Sequence, residues 1–286
     1  MLKLTIAYDG SAFWGSQKQA GVRTVQQQLE EGLSRLSGAG VKTQFSGRTD
    51  RGVHATGQVV SCADIRPELT EGRLSRAIEA HLPEDLAIAS VERTYGPFHA
   101  RFDAVWREYR YRIWAGRNQP LIGRQVWQRR APLDVEAMAI GARCLIGTHD
   151  LATFTGGGDG VSWSTRMTAE RGTTRTIQVC TVRGIEPWWG VIPETGTGVE
   201  IRIVADGFLP QLVRNIVGAL VVMGSGTQPP EWMTELLDAA DRRYGPVTAP
   251  PNGLILWRVG YGDDVPEPEP DGIRVMGTSN ARTANG

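Results

Sequence analysis

The stretch Ser46-Gly47-Arg48-Thr49-Asp50-Arg51-Gly52-Val53-His54-Ala55 is the densest polar cluster of this 286-residue chain, and it separates two apolar stretches that we expect to be strands. Its glycines allow the backbone to turn sharply and to approach a ligand closely. Arg48 and Arg51 flank Asp50, which favours the ionised carboxylate that a nucleophile or general base requires. The stretch therefore predicts a functional loop over residues 46–57. The alternative is a hairpin in which Asp50 is a turn residue with a surface salt bridge.

Hydrophobic periodicity predicts the elements on either side of this loop. Leu2–Tyr8 alternates between apolar and polar side chains, which is typical of a half-buried strand. Thr24 followed by Gln27 has the form of a capping box, and it begins a helix that Gly38 ends. The other elements predicted before residue 103 are strands over 41–46, 58–62 and 86–93 and a helix over 74–81.

The second half of the chain contains the same kinds of element. Asp134 is a suitable N-cap for a helix that extends to residue 146, and Pro210 suits the first position of a helix over 211–223. The other predicted elements are strands over 104–114, 175–182, 198–205 and 253–260 and a helix over 231–240. We therefore predict an α+β protein with an N-terminal half over 1–103, a C-terminal half over 104–261 and a disordered acidic and polar tail over 262–286.

The composition argues against several classes of protein. No apolar run approaches the roughly 20 residues of a membrane helix, and the N-terminus lacks the layout of a signal peptide, so we expect a cytoplasmic protein with no membrane partner. Cys62, Cys144 and Cys180 are too far apart for a disulfide framework or a zinc site, and we expect no metal. The glycine-rich stretch 156–164 lacks the Gly-Lys-Ser/Thr of a phosphate-binding loop and is predicted to be a surface loop.

Arginine is concentrated in residues 101–130, where eight arginines face only Asp103 and Glu108, a local excess of six positive charges. Six of these arginines alternate or cluster with aromatic side chains. Guanidinium and aromatic groups together bind phosphates and stack on bases, so the region favours an RNA-binding function. A solvated charged face is the alternative that this composition leaves open.

The helix predicted over 211–223 is apolar around nearly its whole circumference, and we expect it to be deeply buried. Arg214 stands inside this apolar surface, where an unpaired guanidinium would cost several kcal/mol. We interpret Arg214 either as the partner of a catalytic acid from elsewhere in the chain or as a side chain whose charge extends to water and braces the fold.

Taken in order, the motifs of this chain closely resemble those of the tRNA pseudouridine synthase A family, over roughly residues 2–261. The most specific of them is Gly47-Arg48-Thr49-Asp50-x-Gly52-Val53-His54-Ala55. The others are Tyr8-Asp9-Gly10, Gly15-x-Gln17, Thr24-Val25-Gln26, Leu82-Pro83, Phe98-His99-Ala100-Arg101, Arg107-x-Tyr109-x-Tyr111, Gly147-x-His149-Asp150, Val213-Arg214-Asn215-Ile216-Val217-Gly218 and Ala249-Pro250-Pro251-x-Gly253-Leu254.

The resemblance implies an enzyme that isomerises uridine to pseudouridine in the anticodon arm of tRNA, around positions 38 to 40. It implies that Asp50 is the nucleophile and that Arg214 pairs with it. Tyr109 would pack on the target base and is a candidate proton acceptor, and Arg48 would help to displace the uridine from its stack. The supporting residues of the same motif are Gly47, Thr49, Arg51 and His54.

The resemblance also implies a homodimer that binds tRNA across a basic cleft without metal or organic cofactor. The implied fold has two similar α+β halves whose antiparallel sheets join into one continuous sheet flanked by helices. The chain departs from the usual family pattern at Ser16, where tryptophan is common, and at Arg51, where alanine is common. The alternatives are an RNA-binding protein without catalysis, a pseudouridine synthase acting at another RNA position, and a glycoside-cleaving hydrolase, which would need a second carboxylate near Asp50.

Overall fold

One sheet of ten strands runs through the described part of this computed structural model, which comprises residues 1–156, 172–186 and 195–267. Eight strands form the order β4-β1-β3-β10-β5-β9-β8-β7, and β2 and β6 pair with β3 and β5. The predicted α+β architecture with one continuous sheet is thereby confirmed. The strands are β1 (Leu2–Tyr8), β2 (Gln44–Phe45), β3 (His54–Cys62), β4 (Leu86–Arg93), β5 (Trp106–Gly116), β6 (Trp127–Arg129), β7 (Gly147–Asp150), β8 (Thr174–Ile185), β9 (Gly196–Ala205) and β10 (Leu254–Gly260).

The last strand joins the two halves of the sheet. β10 runs parallel to β3, with Ile255 opposite His54 and Leu256 opposite Ala55, and antiparallel to β5 on its other side. At this junction the backbones approach so closely that a Cβ atom at Gly57 would overlap the Trp257 carbonyl oxygen. Glycine is therefore required at position 57 by the packing of two strands.

The described helices pack against the sheet and against one another around the main hydrophobic core. In the helix Leu212–Gly224 every residue except Arg214 and Val222 is buried, as the apolar pattern predicts. None of the helices in the described ranges is long and apolar enough to cross a membrane. The helices are α1 (Val25–Ser37), α2 (Glu71–Glu79), α3 (Val135–Arg143), α4 (Leu212–Gly224) and α5 (Trp232–Ala239).

The predicted helix caps are found at two helices. The Thr24 hydroxyl accepts a hydrogen bond from the Gln27 backbone N–H, and the Asp134 carboxylate accepts one from Ala137. The prediction for Pro210 is wrong, because Gln211 is the N-cap of α4 and has a left-handed conformation with φ of 59°. That conformation interrupts the chain before the first helical residue, so Pro210 lies outside the helix.

Several predicted boundaries are also wrong. The strand predicted over 41–46 is reduced to the two residues of β2, and the next strand begins at His54 instead of residue 58, so the functional loop is shorter than predicted. The helix predicted to reach residue 146 ends at Arg143 and is followed by the unpredicted strand β7. Most of the glycine-rich stretch 156–164 and of the tail 262–286 lies outside the described residues.

Two buried glutamates on β5 and β9 organise a layer of arginines. The Glu108 carboxylate is fully buried and accepts hydrogen bonds from Arg110, Arg202 and Arg258 at 2.7–2.9 Å. Arg110 and Arg112 also donate to Glu200, at 3.1 and 3.0 Å. These two arginines of β5 are thus held in ion pairs within the fold, in contrast to the solvated RNA-binding role that their alternation with aromatic residues suggests.

Burial and ion pairing act in opposite directions on the two glutamates. Burial raises the pKa of each carboxyl, but the hydrogen bonds and positive charges of the arginines outweigh it and hold both pKa values below their usual range. Each carboxylate is therefore a necessary counter-charge for its arginines.

We expect Glu108→Gln to lower the free energy of unfolding by about 3–5 kcal/mol, because the arginines would then face a neutral amide in a buried layer. The matched control is Glu92→Gln, which removes an ion pair with Lys3 at the surface. That control is expected to cost less than about 1 kcal/mol. Urea unfolding at neutral pH measures both changes. Equal losses in the two variants would contradict the assignment of Glu108 as a required counter-charge.

The same glutamates predict a loss of stability in acid. Their lowered folded pKa values mean that the ion pairs stabilise the fold above the unfolded pKa of about 4.3, and that this stabilisation is lost as the pH falls through the folded pKa. Urea unfolding between about pH 5 and pH 3 should therefore show a flatter pH dependence for Glu108→Gln than for the parent. An unchanged pH dependence would contradict this account.

Candidate active site

Asp50 lies in the turn between β2 and β3, and its carboxylate remains accessible. The Val53 backbone N–H donates to the Asp50 carbonyl oxygen at 3.1 Å and closes the turn. The Asp50 side chain is 46% exposed, while its neighbour Thr49 is buried. The backbone of the turn is thus anchored in the protein, while the Asp50 carboxylate is accessible to solvent.

Arg214 comes from the first turn of α4 and reaches this carboxylate. Its Nη1 donates to the Asp50 Oδ2 at 3.2 Å, and its Nε donates to the Ala249 carbonyl oxygen at 2.7 Å. The side chain is 15% exposed, so the guanidinium is only partly buried, in contrast to the deep burial predicted from the helix around it. The carbonyl and the carboxylate together set the direction of the guanidinium.

Hydrogen bonds to Thr49 fix the backbone that precedes Asp50. The Thr49 N–H donates to the Ser16 hydroxyl at 2.8 Å, the Ser16 N–H donates to the Thr49 carbonyl oxygen at 3.0 Å, and the Tyr8 hydroxyl lies 2.8 Å from the Thr49 Oγ1. Ser16 is 1% exposed. The serine at this position therefore replaces the usual family tryptophan with a buried polar bond to the loop.

Gln58 and Arg107 hold the start of the same loop, and neither was predicted to do so. Gln58 is fully buried, accepts from the Ser46 hydroxyl at 2.6 Å and donates to the Gly47 carbonyl oxygen at 2.8 Å. Arg107 donates to the Ser46 carbonyl oxygen at 3.1 Å. Its other acceptors are the carbonyl oxygens of Arg101, Ala104 and Asp206. A glutamine inside an apolar strand was the signal that sequence reasoning could have used for Gln58.

His54 is buried at the end of the loop and connects it to two other segments. Its Nδ1 accepts from the Gly10 N–H at 3.1 Å, and its Nε2 lies 2.9 Å from the Arg124 carbonyl oxygen. The Asp9 Oδ1 lies 3.2 Å from the same Nδ1, so this nitrogen faces both a backbone N–H and a carboxylate oxygen. Both ring nitrogens are occupied, so His54 has a positioning function within the fold.

Tyr109 lies on β5, in the same row of the sheet as Tyr8. Across that row the paired residues are Tyr8, Ala55, Leu256 and Tyr109. The Tyr109 ring is 8% exposed and contacts the Phe208 ring edge to face at 4.8 Å between centroids. Burial raises the pKa of Tyr109, and the charge of Asp50 contributes in the same direction. Among the described residues, no group hydrogen-bonds to its hydroxyl.

Exposed arginines surround the Asp50 turn. Arg48 and Arg51 belong to the turn itself, and Arg124 belongs to the segment whose carbonyl contacts His54. All three side chains are exposed, unlike Arg107, Arg110 and Arg112 on β5. These arginines therefore form a positively charged rim around one accessible carboxylate. The positive charge of the rim is suited to an anionic substrate.

The chain is similar in sequence to several proteins that share one name, tRNA pseudouridine synthase A. A family profile described as tRNA pseudouridine synthase matches residues 4–103 and 142–262. The tRNA pseudouridine synthase A of Solidesulfovibrio magneticus is 42% identical over 271 residues, which cover 91% of each chain. The proteins of the same name from Klebsiella pneumoniae and Geobacillus kaustophilus are each 38% identical, over 91% and 92% of this chain and 89% and 95% of their own lengths. The match spans both halves of the sheet and the Asp50 turn, and the chain therefore belongs to the tRNA pseudouridine synthase family.

Proposed function

We propose that this chain isomerises uridine to pseudouridine in the anticodon arm of tRNA, around positions 38 to 40, with Asp50 as the nucleophile. The observation that carries the proposal is the accessible Asp50 carboxylate, which Arg214 contacts at 3.2 Å inside a rim of exposed arginines. Membership of the tRNA pseudouridine synthase family supports the reaction and the class of RNA.

The reaction rearranges bonds within one nucleotide. The bond between uracil N1 and ribose C1′ breaks, the base turns, and C5 forms the new bond to C1′ while its hydrogen is lost and N1 gains one. The change is an isomerisation, so its balance requires no oxidant or reductant. The enzyme must supply a group that assists the breaking of the first bond and a pocket that retains the detached base. The Asp50 carboxylate suits the first task, whether it attacks the sugar or the base or removes a sugar proton.

Arg214 positions the nucleophile in this proposal. Its guanidinium holds one carboxylate oxygen, Oδ2, and is itself anchored on the Ala249 carbonyl oxygen. The side chain of Asp50 is still half exposed, so the carboxylate can contact a nucleotide without first leaving Arg214. Holding a reacting group in one orientation lowers the entropic part of the barrier.

Tyr109 is proposed to retain the base by contact with its ring. The target uridine must leave its stack to reach Asp50, and an aromatic side chain replaces the contacts that the base loses. The raised pKa of Tyr109 keeps its hydroxyl neutral near pH 7. We therefore assign the tyrosine to packing and hydrogen bonding and not to the role of a phenolate base.

The exposed arginines are proposed to bind the tRNA backbone. Arg48 is exposed and adjacent in sequence to Thr49 and Asp50, and we propose that it occupies the space that the displaced uridine leaves. Arg124 and Arg130 are exposed at the end of the arginine-rich region and can contact phosphates further along the arm. We also propose that the active form is a homodimer and that it works in the cytoplasm without a cofactor. The family resemblance supports the homodimer and the absence of a cofactor, and the sequence pattern supports the location.

We expect Asp50→Asn to abolish conversion of an anticodon stem-loop while its dissociation constant stays within about twofold of the parent's, because the amide keeps the shape and loses the nucleophile. Nucleoside analysis of the RNA product measures conversion, and a binding titration measures affinity. Conversion by Asp50→Asn near the parent's rate would falsify the role of Asp50. Conversion by the parent at another RNA position would correct the substrate alone.

Arg214→Met tests the contact with Asp50. We expect it to reduce the turnover number and to show non-additivity with Asp50→Ala, because each single variant removes the same contact. The coupling free energy of unfolding should be about 0.5–1 kcal/mol, since the carboxylate is half exposed and solvent screens the pair. Urea unfolding of the parent, the two single variants and the double variant measures it. Additive effects on stability, together with turnover by Arg214→Met near the parent's, would rule out the contact as functional.

Two variants at position 109 separate the ring from the hydroxyl. Tyr109→Phe keeps the ring and should lower turnover less than about tenfold, which is below the effect of a general base. Tyr109→Leu removes the stacking surface, which is worth about 1–3 kcal/mol per base, and should lower turnover about 5- to 150-fold. Full turnover by Tyr109→Leu at saturating RNA would exclude Tyr109 from the site.

Salt dependence tests the proposed backbone contacts. Replacing Arg124 and Arg130 by glutamine should weaken binding of the stem-loop and reduce the slope of log affinity against log salt by about one per lost phosphate contact. Arg73→Gln is the matched control, because Arg73 is exposed on α2 beside the edge strand β4. If the double variant kept the parent's slope of log affinity against log salt, both arginines would belong to the solvated surface and would not contact the RNA.

A further inference from the structure

The side chains of Trp14 and Arg51 form an exposed stack beside Asp50. The Arg51 guanidinium carbon lies 3.8 Å from the centroid of the Trp14 ring, the shortest such distance among the described cation–π pairs. Trp14 is 48% exposed, and Arg51 is also exposed. Within the described residues no hydrogen-bond acceptor or carboxylate contacts the Arg51 guanidinium. A large aromatic surface and an unneutralised charge are therefore both presented to the outside.

The two next-shortest arginine–aromatic stacks among the described residues have a different construction. Arg23 stacks on Phe13, but it is paired through two hydrogen bonds of 2.7 Å with Asp85, and Phe13 is 1% exposed. Arg110 stacks on Trp257 inside the layer of buried glutamates. In both stacks a carboxylate balances the charge of the arginine. The Arg51 guanidinium has no such partner among the described residues.

The backbone fixes Trp14 against the Asp50 turn. The Trp14 N–H donates to the Arg23 carbonyl oxygen at 2.9 Å, and its own carbonyl accepts from the Gln19 side chain at 3.2 Å. Gly15, with φ of 94°, packs so closely that a Cβ atom would lie 2.8 Å from the Thr49 carbonyl oxygen and 3.5 Å from the Arg51 nitrogen. Together with the paired hydrogen bonds of Ser16 and Thr49, this contact gives the stack a set position relative to the nucleophile.

The chemistry of the stack matches a nucleotide. An indole face binds any base by stacking, and guanidinium donors in the plane of a stack pair with phosphate oxygens. Arg51 follows Asp50 directly in the same turn, so we place its phosphate on a nucleotide next to the one whose ribose lies at Asp50. A protein or small-molecule ligand would have less use for an unneutralised guanidinium placed next to the carboxylate that acts on RNA.

We infer that Trp14 and Arg51 form a second nucleotide-binding platform, which holds a nucleotide adjacent to the target uridine. Its base stacks on the exposed indole, and its phosphate pairs with Arg51. The inference rests on the proposed function, because that function places the target uridine at Asp50. The platform holds the RNA strand while the uridine is out of its stack, so its contribution is to substrate binding.

The variants that test the platform are Trp14→Ala, Arg51→Gln and the two combined, with Trp14→Phe as the conservative change. We expect each of the first two to raise the KM and the Kd for an anticodon stem-loop about 5- to 20-fold, at the lower end of measured stacking effects. The kcat of Trp14→Ala should stay within about twofold of the parent's. Trp14→Phe should recover most of the affinity. The double variant should bind RNA more weakly than either single variant. Its Kd should rise by less than the product of the two single increases, because both residues hold one nucleotide.

Modified stem-loops identify the partner of each side chain. Two stem-loops are used, with an abasic nucleotide either on the 5′ side or on the 3′ side of the target uridine. We expect the parent to bind one of them as weakly as Trp14→Ala binds the unmodified stem-loop. That same abasic RNA should bind Trp14→Ala and the parent equally. A neutral methylphosphonate linkage beside the target should remove the difference between the parent and Arg51→Gln in the same manner.

The controls are Tyr95→Ala and Arg73→Gln, which remove an exposed aromatic and an exposed arginine near the β4 edge of the sheet. They should leave KM and Kd unchanged. The inference would be overturned if KM and Kd stayed within twofold of the parent's for both Trp14→Ala and Arg51→Gln. It would also be overturned if these variants had a lower kcat and a lower urea midpoint of unfolding with an unchanged KM. A parent that binds the stem-loop but makes no pseudouridine would overturn the proposed function instead, and the Kd values would still decide the inference.

Discussion

The parallel contact between β10 and β3 is the constraint on which the candidate site depends. It inserts the last strand of the chain between β3, which follows the Asp50 turn, and β5, which contains Tyr109. The segment that leads into β10 supplies the Ala249 carbonyl oxygen that anchors Arg214. Three groups far apart in sequence thus meet because one strand bridges the two halves of the sheet, and Gly57 permits the close approach that this requires.

Arginine has two separate functions in this fold. On β5 and its neighbours, arginines surround Glu108 and Glu200 in a buried layer where the carboxylates are needed as counter-charges. Around the Asp50 turn, Arg48, Arg51 and Arg124 are exposed and form no salt bridge among the described residues. A net charge of zero for the whole chain conceals this division. The positive charge that the proposed RNA contact uses is therefore local, and it is determined by which guanidinium groups the fold leaves unneutralised.

Sequence reasoning was most successful where the signal is local. The limits of β1 and β4 agree with the predicted ones because alternation of apolar residues reports directly which side of a strand is buried. The contact of Arg214 with Asp50 followed from the family resemblance and from the cost of an unpaired buried charge. The roles of Arg110 and Arg112 could not be predicted, because their shared partner Glu200 comes from another strand and a periodic pattern does not reveal which face of the sheet is covered. For Gln58 a signal was present, namely a glutamine inside an apolar strand. Strand β7 was missed because four residues are too few for periodicity to be visible.

The central claim is that this chain makes pseudouridine in the anticodon arm of tRNA through Asp50. The most direct test maps pseudouridine in tRNA from cells that have the chain, that lack it, and that have only its Asp50→Asn form. The account predicts modified uridines around positions 38 to 40 in the first case and unmodified uridines there in the other two. An unchanged pattern when the chain is absent, or restoration of the pattern by the Asp50→Asn form, would contradict it.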